Sequence, residues 1–251
     1  MHVVAIHYAP GAGEPLAAPL AEAMDKTLYE ARARVSSPEG GPAVVASYAE
    51  IEAAWACAGR LRANGISPLL LTRDEIETDA RRFVVRAFEL GKPGLTAVSR
   101  RGESLELPYG EIDLLLRGVR VEEQTDLKTT EERKFSAGRA LLTGGLMLTK
   151  TTRKLEQVTR EDREDFFHLY SPGRPPLAFR ARSINYQSLG AALQPSTTAN
   201  FAALLEALRG SLTRARYDDR LANSQARARL LGPGLADLDV AISLLARVLR
   251  S

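Results

Sequence analysis

Hydrophobic and polar positions in residues 1–75 follow two alternating periods, one typical of β-strands and one typical of α-helices. Runs of β-prone residues at 3–8, 42–47 and 66–71 predict three strands. The apolar stripes of three helices are Leu16, Leu20 and Met24, then Leu28, Ala31 and Val35, then Ile51, Ala54, Trp55, Ala58 and Leu61. Asp25 is the candidate N-cap of the second helix. The pattern predicts a β-α-α-β-α-β module whose strands form an antiparallel sheet.

From Arg82 onward the pattern changes to short alternating runs separated by turn sequences such as GKPG and RRGE. The runs RFVVRAFEL, GLTAVSR and ESLELPYGEIDLLLRGVR predict strands of an antiparallel sheet, and DFFHLY and LAFRARSINYQSLG continue the pattern. A helix is predicted to open near Asn200. One face of this helix carries Phe201, Leu204, Leu205 and Leu208.

Residues 122–164 interrupt the strand pattern with a charged insertion rich in Thr, Lys, Arg and Glu. Within the insertion, the apolar run ALLTGGLMLTK is broken by Gly144 and Gly145. An exposed insertion with a short hairpin or helix explains this composition, and a functional clamp or switch is the alternative. Apolar residues in a charged loop need a partner surface, so Leu146 and Met147 are candidate interaction residues. We expect the insertion to be the least protected long segment.

The end of the chain combines a basic stretch with an amphipathic pattern. Residues 209–229 carry several arginines, including Arg214 and Arg216, and predict a basic, flexible linker. Beyond the sequence GPG, apolar residues recur at spacings of three and four: Leu235, Leu238, Ile242, Leu245 and Leu249. They predict a C-terminal amphipathic helix that docks on its own chain, and pairing in a homodimer is the alternative.

Two regions resemble known folds in their pattern. DKTLYEARARVSS and SYAEIEAAWACAGRLRANGISPLLL resemble the second helix, and the third helix and closing strand, of the C-terminal domain of the bacterial ribosomal stalk protein. The same order is that of the small adaptor of the Clp protease. RRGESLELPYGEI and FFHLYSPGRPPLAFRARSINY loosely resemble pleckstrin-homology-like or GRAM-like barrels. These resemblances imply folds and no particular ligand.

The stalk family engages translation factors through lysines on its first two helices. The equivalent faces here hold Lys26, Arg32 and Arg34 beside Glu22 and Glu30. The acidic pocket with which the Clp adaptor takes amino-terminal residues has no counterpart in IHYAPGAGEPL. The resemblance to these two families therefore implies their fold without their partners.

The fold class predicted from these patterns is α+β. Residues 1–78 form the β-α-α-β-α-β module. Residues 79–210 form an antiparallel, pleckstrin-homology-like sheet or barrel closed by a helix, with the insertion 122–164. Residues 211–251 form the basic linker and the C-terminal amphipathic helix.

Composition narrows the class of protein. Of 251 residues, 45% are hydrophobic and 26% charged, which is typical of a globular chain. The single cysteine, Cys57, rules out an intrachain disulfide and a site with several thiolate ligands, and it favours a reducing compartment. The start MHVVAIHYAPG lacks the pattern of a secretion signal. We expect a cytoplasmic protein with no membrane span.

The sequence predicts no catalytic residue, no cofactor site and no metal site. His2 and His7 lie five apart on a predicted strand and so point to opposite faces. His168 alternates with Phe167 and Leu169 in a predicted strand, which favours a satisfied structural or surface histidine over a general base. Gly144 and Gly145 precede Lys150 at a spacing that does not match a phosphate-binding loop.

These observations favour a non-enzymatic interaction or adaptor protein that binds a protein or peptide partner. The alternative is a basic surface that binds anionic lipid or RNA. The residues that would carry it are Arg100, Arg101, Lys128, Arg133 and Lys134, or the stretch 209–229. An enzyme of unrecognised type is a third hypothesis, and it requires a pocket with convergent polar groups of shifted pKa. The net charge of +3 decides little, because 34 basic residues are nearly matched by 31 acidic ones.

Overall fold

Strand β1 (His2–Ile6) is the middle strand of a three-stranded sheet in the computed structural model, which describes residues 1–135 and 149–251, with side chains for 1–121 and 161–251. It pairs antiparallel with β2 (Ala43–Tyr48) on one side and with β3 (Pro68–Leu71) on the other. Val3 to Ile6 are fully buried, which explains their unbroken apolar run. The predicted β-α-α-β-α-β order and antiparallel sheet are confirmed.

Helices α1 (Gly13–Met24), α2 (Leu28–Arg34) and α3 (Ile51–Ala63) pack against one face of this sheet. Asp25 is not the N-cap of α2. Thr27 takes that position, because its side chain accepts a hydrogen bond from the Glu30 N–H while the Glu30 side chain accepts one from the Thr27 N–H. Asp25 instead ends α1 in the left-handed conformation, with φ of 51°.

Helix α3 buries a narrower face than its sequence stripe predicts. Ala54, Cys57 and Leu61 are fully buried, whereas Trp55 is 62% exposed. Residues three, four and seven apart share a helix face, and Trp55 is turned by about 100° from Ala54. The placement of Trp55 among the packed residues is therefore wrong.

The second sheet has seven strands in the order β10-β7-β8-β9-β4-β5-β6. Their bounds are Phe83–Leu90 (β4), Gly94–Ser99 (β5), Ser104–Pro108 (β6), Leu114–Phe135 (β7), Thr149–Tyr170 (β8), Leu177–Arg180 (β9) and Arg216–Leu221 (β10). β4 with β5, β5 with β6 and β8 with β9 are antiparallel, whereas β4 with β9 and β7 with β10 are parallel. The sheet is thus mixed rather than wholly antiparallel, because its parallel partners lie far apart in the sequence.

Helix α4 (Thr197–Ser211) covers one face of this sheet, as its apolar stripe predicts. Phe201 packs on Phe167, with ring centroids 5.1 Å apart, and Phe167 stacks on Phe179 at 4.5 Å. Ser196 caps the helix by accepting the Ala199 N–H, so the helix begins before Asn200. Helices and strands together make an α+β fold, and that prediction is confirmed.

The segment predicted to be a basic linker is not one. It contains strand β10 and helix α5 (Ser224–Leu231), whose N-cap Asn223 accepts the Gln225 N–H at 2.8 Å. The strand is not recognisable from its sequence, RYDDRL, because most of its residues are charged. It forms because β10 pairs with the apolar start of β7, a partner about a hundred positions away.

The predicted C-terminal helix is present as α6 (Leu238–Leu249). Ile242 and Leu245 are buried in a cluster that includes Val3 and Leu114. All residues from Val240 to Ala246 are buried. Leu235 lies before the helix, whose N-cap is Asp237. No helix within the described residues is long and apolar enough to cross a membrane.

Contacts divide the chain into two units: Met1–Arg120 with Glu164–Ser251, and Val121–Arg163. Within the second unit, β7 runs to Phe135 and β8 begins at Thr149. The division into residues 1–78, 79–210 and 211–251 stays a prediction. The low protection expected for residues 122–164 also stays a prediction, because side chains are described there only for 161–164.

Candidate functional site

The predicted basic residues whose side chains the structure describes lie in different surroundings. Arg100 and Arg101 occupy the turn between β5 and β6 and line a cavity of about 370 Å³. Arg214 lines a different cavity, of about 420 Å³. The Arg216 guanidinium donates to the Leu249 carbonyl at 2.6 Å and so holds the end of α6.

The remaining predicted interaction residues cannot be assessed from side chains. Lys128, Arg133 and Lys134 lie in β7, but their side chains are outside the described residues. Leu146 and Met147 lie outside the described residues altogether. Their roles stay predictions.

A groove with a cavity of about 590 Å³ lies beside strand β2. Its floor is formed by β2 from Val44 to Ser47, one wall by α1 and α2, and the other wall by the loop 231–235. This volume falls within the range of about 300–1,000 Å³ that is usual for binding sites. We call it the β2 groove.

Strand β2 is an edge strand of the three-stranded sheet, because β1 is its one strand neighbour among the described residues. Helix α5 and its flanks lie beside the start of β2, where Arg220 donates to the Gly41 carbonyl at 3.0 Å. Further along, Val45 and Ala46 are half-buried and Ser47 is exposed. The edge is therefore accessible in its second half. An accessible edge presents backbone donors and acceptors to any extended chain that reaches it.

The wall formed by α2 exposes large apolar side chains. Tyr29, which lines the groove, is 82% exposed, and the neighbouring Leu28 is 42% exposed. They sit in the first turn of α2, which the capping box of Thr27 and Glu30 holds in place. Met24 and Leu20 continue the apolar wall from α1. Exposed apolar residues gathered along a groove are typical of an interaction site.

The opposite wall is fastened by Arg34. Its guanidinium donates to the Leu230 carbonyl at 2.7 Å and also to the Arg229 carbonyl. Gly232 follows with φ of 78°, and a Cβ there would lie 2.5 Å from the Arg34 guanidinium. A side chain at this position would therefore clash as well as strain the backbone. Arg34 thus connects α2 to the end of α5.

The charges at the groove are already engaged. Lys26 pairs with Glu30 at 3.7 Å on the exposed face of α2. Hydrogen bonds from the Thr27 backbone and side chain lower the pKa of the Glu30 carboxyl. Burial lowers the pKa of the Arg34 guanidinium, whose hydrogen bonds go to backbone carbonyls. An uncharged, apolar segment therefore suits the groove better than a charged one.

A second candidate is the shallow cavity of about 540 Å³ where α6 meets the segment that follows β3. Glu77, Ser243 and Arg250 line it. Burial raises the pKa of the Glu77 carboxyl, which accepts a hydrogen bond from the Tyr170 hydroxyl at 2.8 Å. A carboxyl with a raised pKa is a feature of acid–base sites. Here, however, the carboxyl is hydrogen-bonded to Tyr170, which is a buried residue of the core. The Glu77 N–H also donates to the Ser243 hydroxyl oxygen at 2.8 Å, which ties α6 to the same segment.

His168 is buried, so the surface alternative predicted for it is wrong. Its Nδ1 has no hydrogen-bond partner among the described residues. Burial and the positive charges of Arg82, Arg180 and Arg120 hold the pKa of its imidazole well below the usual value. Among the side chains described, no three His, Cys, Asp or Glu residues are grouped so that they could hold a metal ion.

In comparisons with known proteins, no family model, curated protein or solved structure matches this chain.

Sequence reasoning did not find the β2 groove, because its two walls lie about two hundred positions apart. The one local indication of the groove in the sequence was Tyr29, an aromatic residue that lies outside the helical stripe of Leu28, Ala31 and Val35.

Proposed function

We propose that this chain is a non-enzymatic, cytoplasmic interaction protein whose β2 groove binds an extended apolar segment of a partner protein. The observation that carries the proposal is the edge strand β2 lying along a groove whose α2 wall exposes Tyr29. An adaptor role follows if the partner segment and a second partner are bound together.

Binding by strand addition explains the layout of the groove. A segment laid beside Val45, Ala46 and Ser47 would extend the order β2-β1-β3 by one strand. Main-chain hydrogen bonds would supply affinity for any sequence, and the walls would select among sequences. Tyr29 and Met24 on one wall and Leu235 on the other offer apolar contacts. The bound segment is therefore expected to alternate apolar residues with small or polar ones.

The fold resemblances belong to the same proposal. Residues 1–78 would share the fold of the stalk protein's C-terminal domain and the Clp adaptor, and residues 79–210 that of pleckstrin-homology-like or GRAM-like modules. The β-α-α-β-α-β order supports the first of these. Both groups act through surfaces that bind partners, which agrees with an interaction role.

The proposal is tested by selecting random peptides from a display library against the full chain. We expect enrichment of apolar, β-prone peptides. The Tyr29→Asp variant should bind a selected peptide about tenfold more weakly, because a central exposed aromatic side chain commonly contributes 1.4 kcal/mol or more to binding. Tyr29 is so exposed that its replacement should leave the melting temperature nearly unchanged.

Leu193→Asp is the matched control, because Leu193 is 50% exposed and does not line the groove. Peptide binding should be unchanged in this variant. Backbone amide resonances of Val45 to Ser47 should shift when the peptide binds. Selected peptides that bind both variants equally, or that leave those amides unshifted, would contradict the proposal.

A further inference from the structure

Four arginines line the cavity of about 370 Å³ that lies next to the turn between β5 and β6. They are Arg81, Arg82, Arg100 and Arg101. Two come from the segment just before β4 and two from the turn, so the fold brings together pairs that are about twenty positions apart. The proposed peptide site does not use this cavity.

The turn that carries Arg100 and Arg101 is held by its own hydrogen bonds. The Ser99 N–H donates to the Glu103 carbonyl at 2.8 Å, and the Gly102 N–H donates to the Ser99 carbonyl at 3.1 Å. The Ser99 hydroxyl oxygen accepts the Arg101 N–H at 3.1 Å. Gly102 has φ of 81°, which favours glycine. The backbone of the turn is fixed in this way, so a ligand has to order only the side chains of the two arginines.

Arg82 forms a rigid floor for the cavity. Its side chain is fully buried, and it donates to the Asp239 carboxylate at 2.7 Å and to the Glu77 carbonyl at 2.6 Å. Its Nε has no partner among the described residues. Arg81, by contrast, is exposed. The cavity thus combines one fixed cation with three that can reach a ligand.

Two carboxylates, Asp79 and Glu103, also line the cavity and offset part of the charge of its four arginines. Asp79 accepts hydrogen bonds from both Arg82 and Arg180, and Glu103 accepts one from the Ser99 hydroxyl at 3.1 Å. Although burial opposes the effect, Arg180, Arg82 and Arg120 lower the pKa of the Asp79 carboxyl. The same three arginines help to lower the pKa of His168. The Asp79 carboxyl, which lines the cavity, therefore lies close to several positive charges.

We propose that this arginine cavity binds a phosphate group, carried either by a small soluble ester or by a lipid headgroup. The guanidinium fork matches the oxygens of a phosphate, and a doubly charged phosphate is the common biological anion that best offsets several arginines. The arginines converge on a cavity rather than following a long stripe. This favours a single phosphate-bearing group over an RNA strand, which needs a basic track with stacking aromatics.

The test uses the full chain and isothermal titration calorimetry at constant ionic strength. Inorganic phosphate and glycerol 3-phosphate are the soluble probes, and vesicles of phosphatidylcholine with phosphatidic acid are the lipid probe. We expect saturable binding of a soluble probe, of the vesicles or of both, and the pattern identifies the source of the phosphate. In the Arg100→Gln, Arg101→Gln double variant the affinity should fall by about tenfold, because both exposed guanidinium groups of the turn are lost and each contributes modestly at an exposed position.

The matched control is the Arg62→Gln, Arg73→Gln double variant, which removes the same charge from exposed positions outside the cavity. Its affinity should change by less than about twofold. An equal loss in both double variants would show non-specific attraction and overturn the proposal. Binding of a single-stranded RNA oligonucleotide without binding of any phosphate probe would also overturn it. Melting curves of both variants check that the fold is retained.

Discussion

The Tyr170 hydroxyl donates a hydrogen bond to the Glu77 carboxylate at 2.8 Å, which joins the end of β8 to the segment between β3 and β4. The Glu77 N–H donates to the Ser243 hydroxyl oxygen at 2.8 Å, so α6 is tied to the same point. Burial raises the pKa of the Glu77 carboxyl and also raises the pKa of Tyr170 well above its usual value. This junction holds together three parts of the chain that are far apart in sequence.

Glu77→Gln should change how stability depends on pH. Because the pKa of Glu77 is raised by folding, its contribution to the free energy of unfolding is fully present below the unfolded value, near 4.5, and is lost as the pH rises through the folded value. Glutamine does not titrate and can still accept the Tyr170 hydrogen bond. The variant should therefore gain stability relative to the parent as the pH rises from about 4.5 toward neutrality, measured by urea unfolding at a series of pH values.

Glu75→Gln serves as a control of opposite sign. Burial acts to raise the pKa of Glu75, but hydrogen bonds from Thr72 and the charge of Arg247 lower it overall. Its contribution to stability is present above the unfolded pKa and lost as the pH falls. Relative to the parent, this variant should lose stability as the pH rises. Parallel pH profiles for the two variants would contradict the assignment of Glu77.

His168→Phe should flatten the loss of stability in weak acid. His168 is buried among aromatic rings, with the Phe166 ring centroid 5.1 Å away. Its lowered pKa means that its contribution is present above the unfolded value, 6.5, and is lost as the pH falls. A single proton taken up on unfolding gives a slope of at most about 1.4 kcal/mol per pH unit. Urea unfolding between pH 5 and 7.5 measures it.

The contribution of Glu77 has the opposite sign over the same range, so the Glu77→Gln background gives the sharper comparison. In that background, the Glu77→Gln variant is compared with the Glu77→Gln, His168→Phe double variant. The difference between their slopes of stability against pH, below pH 6.5, belongs to the imidazole. An unchanged slope in the double variant would show that the His168 imidazole has the same pKa in the folded and unfolded protein, which contradicts the lowered value.

Arg82→Ala should be strongly destabilising. The guanidinium is fully buried and bonds Asp239 at the start of α6, so its loss leaves a carboxylate without its main partner. Breaking a buried ion pair costs about 3–5 kcal/mol, and the partial exposure of Asp239, 28%, places the expected loss near the lower end. The measurement is the free energy of unfolding in urea.

Replacing both Arg82 and Asp239 distinguishes the contribution of their ion pair to stability from the contribution of side-chain packing. The double variant Arg82→Met, Asp239→Asn should recover a large part of the stability lost in Arg82→Met alone. If the two single changes add without recovery, Arg82 acts through its aliphatic chain and not through Asp239.

Replacing Ile242 and Leu245 by Asp should unfold the region around α6. Both side chains are buried against the body of the chain, in a cluster with Val3 and Leu114. Each loses burial worth roughly 1.5–3 kcal/mol, to which the burial of a carboxylate adds. We expect a much lower melting temperature in calorimetry with an unchanged mass in light scattering. Leu193→Asp is the control for an exposed position, and a halved mass would mean that the helix also holds an oligomer.

The sequence by itself determined the elements whose signals are local. The VVAI run of β1, which is buried on both faces, needed no knowledge of its partners to be recognised as a strand. The stripe of Phe201, Leu204, Leu205 and Leu208 likewise predicted the buried face of α4. In each case a period of two or of 3.6 residues, or an unbroken apolar run, is set by the backbone geometry of the element and is visible along the chain.

The tertiary structure alone decided which distant segments meet. Strand β10 has the charged sequence RYDDRL and exists because β7 offers it a partner. In the sequence, Arg82 cannot be distinguished from a surface arginine. The fold places it beside Asp239, 157 positions along the chain. The β2 groove and the arginine cavity arise in the same way, since each is lined by segments that lie apart in the sequence. Burial and charge pairing depend on neighbours in space, and a hydrophobic period records only which face of an element is covered, not by what.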